Sequence, residues 1–109
     1  MEFFEKFKVA GLFVGDRKKN VMRYVSNRSR FVLQREPENK YDKNAVLVKL
    51  PVRGGQYALD IGHVPRELAA RIAPLMDDGS EFCATFRAKI MNEKTGKLID
   101  LWLNLNSLN

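Results

Sequence analysis

Two residues in the stretch REPENKYDKNAV, Arg35 to Val46, have side chains suited to holding a nucleotide. Tyr41 offers a flat ring on which a base can stack, a contact worth roughly 1–3 kcal/mol per base. Asp42 repels phosphate but accepts a hydrogen bond from a hydroxyl or a base amine. Lys40 and Lys43 beside them supply countercharge, and Asn39 adds a short polar side chain to the same loop. A second group lies in DIGHVPRELA, Asp60 to Ala69. His63 stands there at a strand–helix junction, with Arg66 one turn into the helix. Free N–H groups and partial positive charge at a helix N-terminus favour phosphate. His63 adds a donor, and Arg66 a fork of donors.

Each group also has a bracing account. Pro37 fixes its own φ and pushes Glu36 towards extended backbone. Asn39, Asp42 and Asn44 can fold their side chains back onto the backbone of an awkward turn. Tyr41 then seals the edge of the core, His63 caps a local carbonyl and Arg66 is solvated. From the residues alone both accounts stand.

Other chemistries lack their residues. There is no HExxH, no glycine-rich phosphate loop followed by Lys and Ser or Thr, and no serine–histidine–acid constellation. Cys83 is the only cysteine and His63 the only histidine. No internal disulfide forms, and a structural zinc lacks its ligands. Asp77, Asp78 and Glu81 gather after the helix. A magnesium-dependent, nuclease-like site is one reading of them; a helix end followed by a solvated loop is the simpler one. The expectation is no catalytic residue, no cofactor and no metal.

The elements that must position these residues are mostly strands. FFEKFKVAGLFVG reads as strand, bent near Gly11 and ending at Gly15. DRKKN reads as a charged turn, and VMRYV and RFVLQ as short strands parted by SNRS. AVLVKL alternates cleanly, PVRGG turns, and YALDIGHV is the next strand. At Pro65 the period changes: Leu68, Ile72 and Met76 recur every four residues, with Gly79 as the stop. Pro74 lies inside this pattern and predicts a kink or a fresh turn. EFCATFRAKIM and LIDLWLNLNSL are long strands joined by NEKTGK. About six strands with one kinked helix over 65–78 predict a mainly β, OB-like or SH3-like antiparallel barrel, the helix packed at one end.

Charge and composition narrow the partners. The chain has 109 residues, 45% hydrophobic and 29% charged, a globular profile consistent with one domain over 1–109. No apolar run reaches membrane-spanning length. The start, MEFFEKFKV, lacks the features of a secretion signal, so a cytoplasmic location is expected. The formal charge is +6, and the basic excess is concentrated between Lys6 and Arg35, which hold nine Lys or Arg against one acid, Asp16. If they share a face, they make a field suited to phosphates; a solvated, solubilising face carries the same charge.

LQREPENKYDKNAVLV (Leu33 to Val48) followed by IGHVPRELAARIAPLMDDG (Ile61 to Gly79) resembles the HIRAN domain family. That family occurs in SWI/SNF-type DNA translocases that remodel replication forks and as standalone bacterial and phage proteins. The resemblance covers most of the chain. It implies a small OB-like barrel, a link to DNA repair, and a pocket for the free 3′ end of single-stranded DNA. On this sequence, it implies that Tyr41 packs on the terminal nucleotide and Asp42 accepts from the 3′ hydroxyl. Asn39 supports the loop, His63 lines the pocket and Arg66 meets a phosphate. End-binding members carry an arginine and a tyrosine after a glycine–leucine pair; here Gly11–Leu12 is followed by Phe13 and Val14. Phe13 keeps a stacking surface, and Arg17, Lys18 and Lys19 follow from the turn as the nearest cations.

The expected function is therefore a single-stranded DNA binding module with preference for a free 3′ hydroxyl. Its partners would be DNA and a helicase or translocase. The alternative is a protein-interaction or structural module whose two motifs only brace the fold. Oligomeric state is left open by the sequence.

Overall fold

The structure, a computed structural model, describes residues 4–108. Six strands and two helices follow in the order β1 (Phe4–Lys8), α1 (Arg17–Tyr24), β2 (Arg30–Arg35), β3 (Val46–Val52), β4 (Tyr57–His63), α2 (Arg66–Asp77), β5 (Phe82–Met91) and β6 (Leu98–Ser107). Phe3, at the start of the expected first strand, lies outside the described residues.

The strands form one sheet in the order β1-β6-β5-β2-β3-β4, with every neighbouring pair antiparallel. This corrects the expected barrel: the strand count holds, but the sheet is open, with β1 and β4 as its edges. Among the described residues, the chain just past β1 is hydrogen-bonded to β4 at one isolated bridge, where Ala10 and His63 exchange N–H···O bonds of 2.8 Å. One residue pair is not a ladder. The chain leaves it at once, because Gly11 takes φ 73° and starts a turn. The β1 edge is blunted in the usual way, by shortness and by Lys6 and Lys8.

A second correction concerns α1. The DRKKN turn and VMRYV strand are instead one helix, Arg17–Tyr24. A strand would put Val21, Arg23 and Val25 on one face. The chain instead buries Val21 and Val25 with Tyr24 half-buried between them, and leaves Arg23 exposed. That is helical spacing, hidden in the sequence by β-branched residues that also suit strands. α2 falls where its period placed it and runs through Pro74 as one element. Pro74 and Ala70 both face solvent, so the carbonyl that loses its helical donor there can turn to water. Gly79, at φ 101°, ends the helix, and the Ser80 amide returns to the Leu75 carbonyl at 2.9 Å.

The core gathers one face of the sheet and one stripe of each helix. Phe31, Val46, Val48, Ile61, Leu101, Leu103 and Leu105 come from the strands, Val21 from α1, and Leu68, Ala69, Ile72 and Ala73 from α2. Polar ties fix α2 over this core. Arg71 bonds Glu5 of β1 at 2.9 Å, and Arg35 grips Asp77 through two bonds of 2.9 and 3.1 Å.

Candidate nucleic-acid interface

The sheet register brings the two sequence motifs together. Arg35, the last residue of β2, pairs with Val46, and His63, the last residue of β4, pairs with Leu47. The start of β3 therefore lies between the loop that begins at Glu36 and the junction that begins at His63. Gly62 is needed at this point. Its φ is 153°, and a Cβ there would press on the Val9 side chain and stand 2.5 Å from the Ala10 carbonyl oxygen. Only a bare backbone lets the chain after β1 approach the end of β4 this closely.

The loop from Glu36 to Ala45 has no helix or strand, yet its backbone is held at many points. The Glu36 amide donates to the Ala45 carbonyl at 3.0 Å, and the Ala45 amide to the Asp42 carbonyl at 3.1 Å. Asn39 Oδ1 accepts from the amides of Tyr41 and Asp42 at 2.9 and 3.1 Å. Asp42 Oδ1 accepts from the Asn44 amide at 2.9 Å. Arg35 braces the loop from beneath, donating to the carbonyls of Ala45 and Lys43. The bracing account is thus physically present for Asn39 and Asp42, and Arg35 adds a brace that the sequence did not point to.

Bracing does not use up the loop. Tyr41 is 82% exposed, so its ring seals nothing. Asp42 keeps Oδ2 towards Arg66, whose Nε lies 3.8 Å away, beyond hydrogen-bond length. A pair this loose, with Arg66 largely exposed, does not hold the arginine firmly. Tyr41, Asp42, His63 and Arg66 all line one cleft of about 290 Å³, together with Asn39, Ala10, Ala45 and Val64. An adjoining hollow of about 500 Å³ shares Asn39, Tyr41, Asp42 and Arg66 and adds Glu38, Lys40 and Lys43.

Glu36 is the residue behind this cleft that sequence reasoning missed. Its Oε1 lies 2.6 Å from His63 Nε2 and accepts from Asn39 Nδ2 at 3.3 Å. One carboxylate thereby sets the orientation of the imidazole and of the amide that holds Tyr41 and Asp42. No sequence signal pairs Glu36 with His63; the register of β3 does.

The remaining cations are spread more widely than a single rim. Arg17 donates to the Gly11 carbonyl at 3.0 Å. Lys18 Nζ sits 4.5 Å from the centre of the Phe13 ring, and Phe13 is 72% exposed in the turn that follows Ala10. Lys18 and Lys19 line a separate groove, and Lys6 lines another hollow with Arg87 and Trp102. Asp77 is committed to Arg35, whose hydrogen bond and charge hold its carboxyl below the ordinary value of 3.8. Among the described residues, no three His, Cys, Asp or Glu side chains are placed to hold a metal.

The chain thus presents an open antiparallel sheet with a braced polar cleft at one corner. The HIRAN domain profile matches residues 6–106, and the chain belongs to the HIRAN domain family. Helicase-like transcription factors of Mus musculus and Homo sapiens are 48% and 44% identical to it over 54 residues. That stretch is 50% of this chain and 5% of each relative. Two crystal structures share the fold. A protein from Lactobacillus plantarum superposes with a TM-score of 0.66 at 22% identity, covering 98% of this chain and 99% of the other. The HIRAN domain of human HLTF superposes at 0.62 and 24% identity, covering 95% and 75%.

Proposed function

We propose that this domain is a non-catalytic binding module for single-stranded DNA that prefers a free 3′ hydroxyl end. The observation that carries the reading is the convergence of Tyr41, Asp42, His63 and Arg66 on one cleft. Its volume is at the small end of ligand pockets, which suits a terminal nucleotide more than a tracked backbone. Tyr41 stacks on the terminal base, and Asp42 Oδ2 accepts from the 3′ hydroxyl. Arg66, loosely held, turns to the adjacent phosphate, and His63, steadied by Glu36, lines the wall. Membership of the HIRAN family and the similarity to helicase-like transcription factors support a nucleic-acid role beside an ATP-driven partner.

A module that only braces the fold would bury Tyr41 and leave no groove beside it. The His63–Glu36 bond fits that account, but the exposed ring and the cleft do not.

Asp42 makes the test specific. A 3′ phosphate would set charge against carboxylate, whereas a 3′ hydroxyl donates to it. Labelled strands ending in 3′ hydroxyl and in 3′ phosphate should differ in affinity by roughly tenfold or more, equivalent to about 1.4 kcal/mol. Asp42→Asn should narrow that gap. Equal affinity of the unaltered protein for both ends would remove the end-recognition reading.

A further inference from the structure

The cleft accounts for one end of a strand but not for the cations of α1. Lys18 and Lys19 line a groove of about 280 Å³ between that helix and the β5–β6 hairpin, with Met22, Gly96, Lys97 and Leu98 as its other walls. Lysine side chains from two distant segments thus line one concavity, and no carboxylate lines it. Met22 is 46% exposed and offers an apolar surface beside them. A groove formed only to solubilise the protein would have no reason to collect like charges from two distant segments. Their summed positive field favours an anionic occupant.

This groove is linked to the cleft by a short run of chain. Ala10 lines the cleft and pairs with His63. Gly11 follows, held by Arg17, and then Phe13, with the Lys18 ammonium over one face of its ring. The ring remains mostly exposed. A strand leaving the cleft past Ala10 therefore meets an aromatic surface and then lysines, the mix that single-strand binding folds use for stacking and backbone contact.

We propose that the α1–hairpin groove is a second phosphate-binding site, taking the backbone of the same DNA strand on the 5′ side of the end held in the cleft. This rests on the cleft reading for the direction of the strand. The groove itself reads no bases: lysines act as point charges, and Met22 offers only apolar contact. It adds length-dependent, salt-sensitive affinity to an end-specific anchor.

Strand length separates the two sites. The unaltered protein and a Lys18→Ala, Lys19→Ala, Lys97→Ala variant would be titrated with 3′-hydroxyl strands of about 4 and about 16 nucleotides, the range of single-strand site sizes. The unaltered protein should bind the longer strand more tightly. In the variant that advantage should fall by roughly tenfold at low salt, and the salt dependence for the longer strand should shallow by about 2 logarithmic units per decade. Affinity for the short strand should hold within a factor of about 2, since the lysines lie outside the cleft. Arginine at all three positions should restore long-strand binding, and matched melting curves would exclude misfolding.

No length advantage in the unaltered protein, or an unchanged advantage and slope in the variant, would overturn the groove. A variant that loses the short strand equally would also overturn it. Binding of long strands that depends on the lysines but ignores the chemistry of the 3′ end would uphold the groove and remove the cleft reading instead.

Discussion

The loop from Glu36 to Ala45 and the segment from Gly11 to Lys19 flank the same bridge, and they are held in different ways. In the loop, side chains of Asn39, Asp42 and Arg35 fix the backbone under Tyr41. In the segment, the turn closes through the Val14 amide and Arg17 on the Gly11 carbonyl. Asp16, at the start of α1, makes no side-chain capping bond. The lysines beyond it are long side chains that lose rotamer freedom when they bind. A pre-ordered loop loses little freedom on contact, so its geometry can discriminate one end group from another. Flexible lysines respond to charge alone. On the proposed reading, a selective site thus lies beside an electrostatic one.

The largest break in this arrangement should come from their shared contact. Gly62→Ala forces a Cβ against Val9 and Ala10 at a φ that favours glycine. Strain and overpacking together should cost about 3 kcal/mol. Denaturant unfolding should show a lower midpoint with the same slope. A wild-type midpoint would mean that the chain after β1 can move away from β4 freely, and that the two regions are not tightly coupled.

A smaller effect should distinguish the two rings. Tyr41→Ala should weaken binding of a 3′-hydroxyl strand by about 1–3 kcal/mol, with stability little changed because the ring is exposed. Phe13→Ala should weaken it less, since the ring lies outside the cleft and Lys18 covers one of its faces. Equal losses would erase the distinction between a selective and an auxiliary surface.

The smallest effect concerns the brace beneath the loop. Asp77 has its carboxyl lowered by Arg35, so the folded state favours the ionised form. The resulting stability is fully present above the ordinary value of 3.8 and is lost as pH falls through it towards the lowered folded value. Because Asp77 is exposed, the effect should be slight. Asp77→Asn should flatten the acid limb of a stability–pH curve and leave neutral-pH DNA binding unchanged. A loss of binding near neutrality would show that Arg35 cannot hold the loop without its carboxylate partner.

Much of this was legible from residue types. The long strands β3, β5 and β6 follow from alternation, and α2 from its four-residue stripe with Gly79 as the stop. The helix α1 was not, because Val21, Tyr24 and Val25 suit either period and only burial separates them. The open edge was not legible either. Closure depends on whether the chain after Lys8 continues along β4, and Gly11 turns it aside after one bridge.

The sequence by itself determined the side-chain chemistry of Tyr41, Asp42, His63 and Arg66, because stacking, accepting and donating are properties of single residues. It also determined that loop and junction belong to one family pattern. Only the tertiary structure decided that they share a cleft, since the register of β3 between Arg35 and His63 sets that distance. It likewise decided that Glu36 ties the two motifs together and that Lys97 joins Lys18 and Lys19. Such encounters between distant segments are set by packing, which no local run of residues specifies.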